Sequence, residues 1–521
     1  MNSSKASPQW LLLAIFISSA LYNVNGFWFK LPRTSLSRGL REHYPRILEQ
    51  NIPDGFETFF YNQTIDHFNY RPESFTTFRQ RYLIYSKHWG GGQAPILAFM
   101  GAEEPIDDDL KAIGFLTENS ERLKALVVFM EHRYYGQSVP FGSRSEALNN
   151  TNNRGYFNSA QALADYAEIL LHIKKTHDAT YSPVIVVGGS YGGELATWFR
   201  LKYPHIALGA LASSAPVLYY EDITPHNAYY SIVTKNYRDT SETCYQTILK
   251  SWAEIQRVGE LPDGASILSR QFKTCTPLRN ENELRDALAG MYASTSQYGR
   301  PPENPIEKFC SAVDRATACG NDSLCKIAAA VFAQKGDRPC YINKPKNRTE
   351  TDEGWPWQSC SEMVVPMSID EKTMLRPVNL FNLTEVIDQC QQEYGVPPRP
   401  NWITTYYGGH LIINFGLLHF CEKLQDIKLT LQRSTGNIIF SNGLRDPYSA
   451  GGVLKNISDN IIALPTVNGS HCLDIVKSNK TSDPDWLVQQ RKTEVEIIKG
   501  WIAKYYADLK AINKWIPFKL Q

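Results

Sequence analysis

A serine hydroxyl is a weak nucleophile until a neighbouring base takes its proton. Gly188-Gly189-Ser190-Tyr191-Gly192 sets one such serine between glycines two residues away on either side. The segment follows Pro183-Val-Ile-Val-Val187, an apolar run of buried-strand character, and opens a helical stretch, Glu194-Leu-Ala-Thr-Trp-Phe-Arg200. A sharp strand–turn–helix bend of this kind lifts a serine out of the backbone, and the helix N-terminus favours developing negative charge. Five histidines follow it: His205, His226, His410, His419 and His471. His471 stands just after the last strand-like run, Ile461-Ile-Ala-Leu464, and Asp446 just after the preceding one, Asn437-Ile-Ile-Phe440. The order serine, acid, histidine then assigns Ser190 as nucleophile, His471 as base and Asp446 as the group that orients the imidazole. Asp459 and Asp474 compete for the acid role and sit less well relative to the strands.

The chemistry that such a trio performs, acyl transfer, needs donors for an oxyanion. The Tyr191 N–H and one from Gly101-Ala102-Glu103, the loop after another apolar run, are the expected donors, with Gly101 the first candidate. That loop continues to Asp109 and holds five carboxylates, Glu103 among them. It reads either as a solvated acidic loop or as a wall of the cleft that attracts cationic groups. Tyr448 beside Asp446, and Trp355 with Trp357, are further candidates for the wall, although large aromatics are more often core. Neither C-x-x-C nor H-E-x-x-H occurs, so no metal and no cofactor is expected.

The elements that must carry these residues alternate. Aromatic and polar residues alternate from Phe56 to Tyr85, which predicts antiparallel strands. Pro95–Met100, Ala125–Met130 and Pro183–Val187 read as buried strands, and Ser159–Lys175 as an amphipathic helix. This is an α/β class with a mostly parallel sheet. From about 220 to 350 the chain turns polar and helical and holds six of the ten cysteines, none of which precedes Cys244. A helix from Glu494 to Leu509 closes it. With 54 basic against 53 acidic residues in 521, the net charge of +1 excludes nucleic acid and anionic membrane surfaces as main partners.

Residues 1–26 read as an export leader, too short in their apolar run to span a bilayer, and 27–50 as a propeptide or surface arm. No later stretch predicts a membrane span. Glycosylation triplets at Asn62, Asn149, Asn321, Asn347, Asn382, Asn456, Asn468 and Asn479, with the even cysteine count, point to an exported, disulfide-bonded chain.

Phe60-Tyr-Asn-Gln-Thr-Ile-Asp-His-Phe68, Glu131-His-Arg-Tyr-Tyr-Gly136, Gly188–Gly193, Ala212-Ser-Ser-Ala-Pro216, Trp402-Ile-Thr-Thr405, Ser441-Asn-Gly443 with Asp446-Pro447, and Gly469-Ser-His471 together resemble peptidase family S28. This is the lysosomal Pro-X carboxypeptidase and dipeptidyl-peptidase II group, and its plant-type members are the most similar. The resemblance implies an α/β-hydrolase fold, residues 51–217 and 353–521, with a helical, disulfide-bonded (SKS-type) cap over 218–352. It implies a serine exopeptidase acting on peptides after proline, a lysosomal, vacuolar or extracellular setting, an acidic working range and a homodimer. It also implies the bridges Cys244–Cys310, Cys275–Cys340 and Cys360–Cys390, which leaves Cys319–Cys325 and Cys421–Cys472. Where family members commonly carry methionine lining the proline pocket, four residues after the nucleophile, this chain has Glu194. That carboxylate either changes the pocket or points away from it. A dipeptidyl-peptidase, an esterase or lipase on the same fold, and an inactive binding protein are the competing readings.

Overall fold

The computed structural model describes Gly39, Ile52 and residues 54–345, 347–408 and 426–515. The expected leader, His410, His419 and Cys421 lie outside the described residues. Eight strands build one sheet: β1 (Phe56–Thr64), β2 (Thr77–Tyr85), β3 (Ile96–Met100), β4 (Leu126–Met130), β5 (Val184–Gly189), β6 (Ala207–Ser213), β7 (Ile438–Gly443) and β8 (Ile461–Thr466). Their spatial order is β1-β2-β4-β3-β5-β6-β7-β8. β1 and β2 pair antiparallel, as the alternating aromatics predict, and β2 pairs antiparallel with β4. Every later pairing, from β3–β4 to β7–β8, is parallel. β3, β4, β5 and β7 are buried along their whole length, which is why they read as unbroken apolar runs.

Helices cover both faces. One face packs Leu163, Tyr166, Ile169, Leu170 and Ile173 of the helix Ser159–Thr176 and Trp198 and Phe199 of Tyr191–Lys202. The other packs Val495, Ile498 and Trp501 of the closing helix Asp485–Trp515. This is the α/β-hydrolase fold. β6 escapes the pattern reading because Ala-Leu-Gly-Ala-Leu-Ala-Ser has no β-branched residue. Its small residues admit the closing helix: a Cβ on Gly209 would stand 2.6 Å from the Trp501 ring.

Between β6 and β7 the described chain is helical, from Ala228–Thr240 to Asp426–Ser434. Four disulfides are closed there: Cys244–Cys310, Cys275–Cys340, Cys319–Cys325 and Cys360–Cys390. Cys472 is buried as a free thiol, and the partner implied for it, Cys421, is not among the described residues. All eight asparagines of the glycosylation triplets are exposed.

Candidate active site

The nucleophile turn is shaped by close backbone approach. A Cβ on Gly188 would lie 2.0 Å from the Gly192 carbonyl oxygen, and one on Gly192 would lie 2.8 Å from that of Met100. Ser190 itself takes φ 56° and ψ −125°, a conformation that costs a non-glycine residue about 1–3 kcal/mol. Its N–H donates to the Ser213 carbonyl at 2.9 Å and its carbonyl accepts from Glu194 N–H at 3.0 Å, so strand and helix both hold the bend.

Asp446 and His471, the residues expected as acid and base, lie on the loops after β7 and β8. These loops pack backbone to backbone at Gly443, where a Cβ would sit 2.3 Å from the Gly469 carbonyl carbon. Leu444 N–H donates to Thr466 O at 2.8 Å and Arg445 N–H to Gly469 O at 2.9 Å. Asp446 is fully buried; its Oδ1 accepts from Tyr448 N–H at 3.0 Å and its Oδ2 accepts from His471 Nδ1 at 2.7 Å. With the Nδ1 proton directed there, Nε2 is left as the acceptor. Burial opposes charge on His471, but the Asp446 carboxylate and the neighbouring Cys472 hold it well above the usual histidine range. Asp474 bonds Ser213 instead, and Asp459 is exposed.

The His471 loop is fixed against the nucleophile turn. Cys472 N–H donates to Ser214 Oγ at 2.9 Å, and a Cβ on Gly189 would meet Cys472 Sγ at 3.0 Å. Ser190 Oγ and His471 Nε2 are both buried and make no hydrogen bond among the described residues. A nucleophile–base bond that closes only with substrate bound has this appearance. The helical insertion reaches the same ring: His471 N–H donates to Gln297 O at 3.0 Å, and Tyr298 lies edge-on at 5.5 Å between centroids, with Tyr448 at 5.8 Å.

Gly101 is not an oxyanion donor. Its N–H donates to Met130 O at 3.0 Å, continuing the β3–β4 ladder, and its carbonyl accepts from Tyr166 OH at 2.8 Å. The N–H groups of Tyr191 and Ala102 make no backbone hydrogen bond among the described residues. Ala102 Cβ would lie 3.5 Å from a Cβ on Gly192, so the next residue of the same loop faces the turn. Glu103 and Glu104 are buried, not solvated, and Asp107 pairs with Arg81 at 2.6 Å.

Glu194 is buried in the first turn of its helix, where Tyr220 OH stands 3.0 and 3.1 Å from its two oxygens and also 3.6 Å from Met363 Sδ. Burial pushes its carboxyl well up, against the smaller pull of Tyr220. Trp355 is buried against Tyr191, with centroids 5.4 Å apart. Trp357 lies elsewhere, donating to Phe157 O at 3.0 Å and packing on Tyr394.

Sequence reasoning missed a buried polar chain around Tyr191. Burial lowers His132 to about 4, and its Nδ1–H is directed at Arg133 O at 2.7 Å, so its Nε2 accepts from Tyr191 OH at 3.2 Å. Gln358, on the helix Glu350–Ser361, donates to Tyr191 OH at 3.0 Å and accepts from Tyr135 OH at 2.8 Å. His132 and Tyr135 belong to Glu131–Gly136, whose other members are structural. Glu131 accepts from Arg81 at 2.5 Å and Ser138 at 2.7 Å, and Arg133 binds both oxygens of Asp165 at 2.6 Å. The segment stood out in the sequence, but nothing local tells which of its polar residues faces the nucleophile.

Among the described residues no cluster of His, Cys, Asp and Glu could hold a metal ion, and no helix is long and apolar enough to cross a membrane. The family model for serine carboxypeptidase S28 matches residues 63–494. Lysosomal Pro-X carboxypeptidase of Homo sapiens is 34% identical over 471 residues, 87% of this chain and 90% of that protein. Prolyl carboxy peptidase like protein 5 of Caenorhabditis elegans is 30% identical, over 85% of this chain and 89% of its own. Thymus-specific serine protease of Homo sapiens is 24% identical, over 95% of this chain and 96% of its own. A strained serine on a strand–helix turn, an Asp–His pair on the loops beside it and a match over most of the length have one explanation: the chain belongs to the serine carboxypeptidase S28 family and is a serine-type peptidase.

Proposed function

We propose that the chain is an exported, lysosomal, vacuolar or extracellular, exopeptidase that releases C-terminal residues after proline. In this reading His471 Nε2 takes the Ser190 proton as Oγ attacks the scissile carbonyl, and Asp446 stabilises the resulting imidazolium. The N–H groups of Tyr191 and Ala102 bind the oxyanion. His471 then gives its proton to the leaving amine, and water repeats the sequence on the acyl-enzyme. The observation that carries the reading is the 2.7 Å Asp446–His471 pair lodged beside a buried, unbonded Ser190 hydroxyl. The proline preference comes from the named relatives, and the pocket would lie at Glu194, Tyr220, Met363 and Trp355. The homodimer implied by the family is part of the same reading, and light scattering of the purified chain tests it.

A dipeptidyl-peptidase of the same family is the second reading. It is favoured by Glu103 and Glu104, which are buried in the loop beside the nucleophile and suit a terminal amine. Digestion of N-blocked peptides with free C-terminal residues after proline, against free-amine dipeptide amides, separates the two. Cleavage of the blocked peptides alone is expected, and cleavage of the amides alone would reverse the assignment. Fluorophosphonate labelling lost in Ser190→Ala is expected; retained labelling would remove Ser190 from its role.

A further inference from the structure

Asp474 and Glu494 are fully buried carboxyls that the peptidase chemistry does not use. Asp474 lies three residues beyond His471, on the same loop, and Glu494 lies on the closing helix. Ser213 Oγ donates to Asp474 Oδ1 at 2.5 Å, and Ser441 Oγ donates to Glu494 Oε1 at 2.8 Å. Ser213 and Ser441 are register partners on the parallel strands β6 and β7. The two serines that hold the carboxyls therefore stand side by side on one sheet, about 5 Å apart at the backbone. Asp474 Oδ2 and Glu494 Oε2 are each buried with no hydrogen bond among the described residues.

The surroundings offset two negative charges only in part: Arg491 lowers both groups, and so do the serine hydrogen bonds, but burial outweighs them. β6 and β7 offer only the serines, and the loop adds the Cys472 thiol. The closing helix adds Gln490, whose Nε2 donates to Ser441 Oγ at 2.6 Å, and Arg491. Arg491 directs its donors to the carbonyls of Leu473, Asp474 and Val476 at 2.8–2.9 Å and to Asp483 at 2.6 Å, not to either carboxyl. Two neighbouring buried carboxylates cannot both ionise cheaply. One proton between Oδ2 and Oε2 would satisfy both orphan oxygens at once. Burial raises both groups, and the Asp474 charge raises Glu494 further.

We propose that Asp474 and Glu494 share a proton and thereby latch the His471 loop to the ends of β6 and β7, acting as a pair of positioning residues. This rests on His471 being the base of the serine chemistry. The latch reaches that chemistry through Ser213 and Ser214. The Ser213 carbonyl accepts from Ser190 N–H and Ser214 Oγ accepts from Cys472 N–H, each at 2.9 Å. Losing the shared proton sets two charges against each other beneath this corner and frees the loop that carries His471.

Amide hydrogen exchange of residues 469–476 in the wild-type protein, corrected for the intrinsic rate, tests it at about pH 5 and about pH 7.5. Protection about tenfold lower at the higher pH is expected. Glu494→Gln keeps a donor to Asp474 and has no proton to lose. It should flatten this difference and move the alkaline limb of kcat/KM up by about one unit. Equal protection at both pH values in the wild type overturns the proposal, as does a Glu494→Gln variant with the wild-type difference. Should that variant not fold, the wild-type exchange decides alone. Exchange needs no turnover, so a failure of the serine-peptidase reading shows in fluorophosphonate labelling and is told apart.

Discussion

At the scale of single residues, Asp446 acts on His471 in two ways whose signs differ in an experiment. Its carboxylate fixes the tautomer through the 2.7 Å bond and raises the imidazole pKa against the cost of burial. Asp446→Asn should therefore lower kcat by about 10⁴ and also move the acid limb of kcat/KM to lower pH, since the base must be neutral. A rate loss with the acid limb unmoved would mean that Asp446 does not face the working histidine. Glu194 makes the second prediction. As a buried carboxyl held by Tyr220, it presents polar surface where methionine would present none. Glu194→Met should raise discrimination for proline over alanine at the residue before the scissile bond by about 10- to 200-fold, the range an apolar pocket commands. Unchanged Pro, Ala and Arg ratios would place Glu194 outside the pocket. The places of Ser190, Asp446 and His471 on neighbouring turns were legible because each follows a strand whose apolar run is visible. That Gly101 N–H is taken by Met130 O was not, because it depends on how far the β3–β4 ladder extends, and only the fold tells that.

At the scale of elements, legibility followed burial. β3, β4 and β5 are enclosed on both faces and show as apolar runs, whereas β6 is made of small residues to admit Trp501 and is silent in a propensity reading. The cysteine distribution pointed to the helical stretch after β6, whose first helix, Ala228–Thr240, precedes Cys244, but not to what it touches. Its helix Glu281–Gln297 ends against His471, through Gln297 O and the Tyr298 ring. The insertion therefore packs against His471, and on the proposed mechanism its stability should couple to activity. Cys244–Cys310 closes a loop of 66 residues within it, for which the chain-entropy relation gives about 4 kcal/mol. Cys244→Ser with Cys310→Ser should lower the denaturation midpoint and lose activity at lower denaturant than global unfolding, because the Tyr298 contact loosens first. Activity and far-UV circular dichroism followed together through the transition check this. Coincident curves would show that insertion and sheet unfold as one unit.

At the scale of the whole molecule, the near-zero net charge conceals an uneven placement of acids. Burial raises Asp109, Glu131, Glu194, Asp474 and Glu494 and pushes Glu362 up to about 7. A carboxyl whose folded pKa lies above its unfolded value of about 4.3 contributes stability that is complete below that value and is lost as pH rises through the folded one. All six therefore act in the same direction. His132, buried neutral and lowered to about 4, opposes them, since its contribution is lost as pH falls. The exposed pairs, such as Arg238–Glu242, contribute little. Most proteins lose stability on acidification because paired carboxylates must be protonated; here burial raises these six carboxyls, and their contribution runs the other way. The thermal midpoint should fall between about pH 5 and about pH 8, through a window centred near Glu362. Scanning fluorimetry at one fixed scan rate measures it, and a midpoint that is flat or rises with pH would contradict the assignment. Glu362→Gln should remove part of the slope and leave the exchange of the His471 loop unaltered. That separates the general cost of ionising buried acids from the local latch at Asp474 and Glu494.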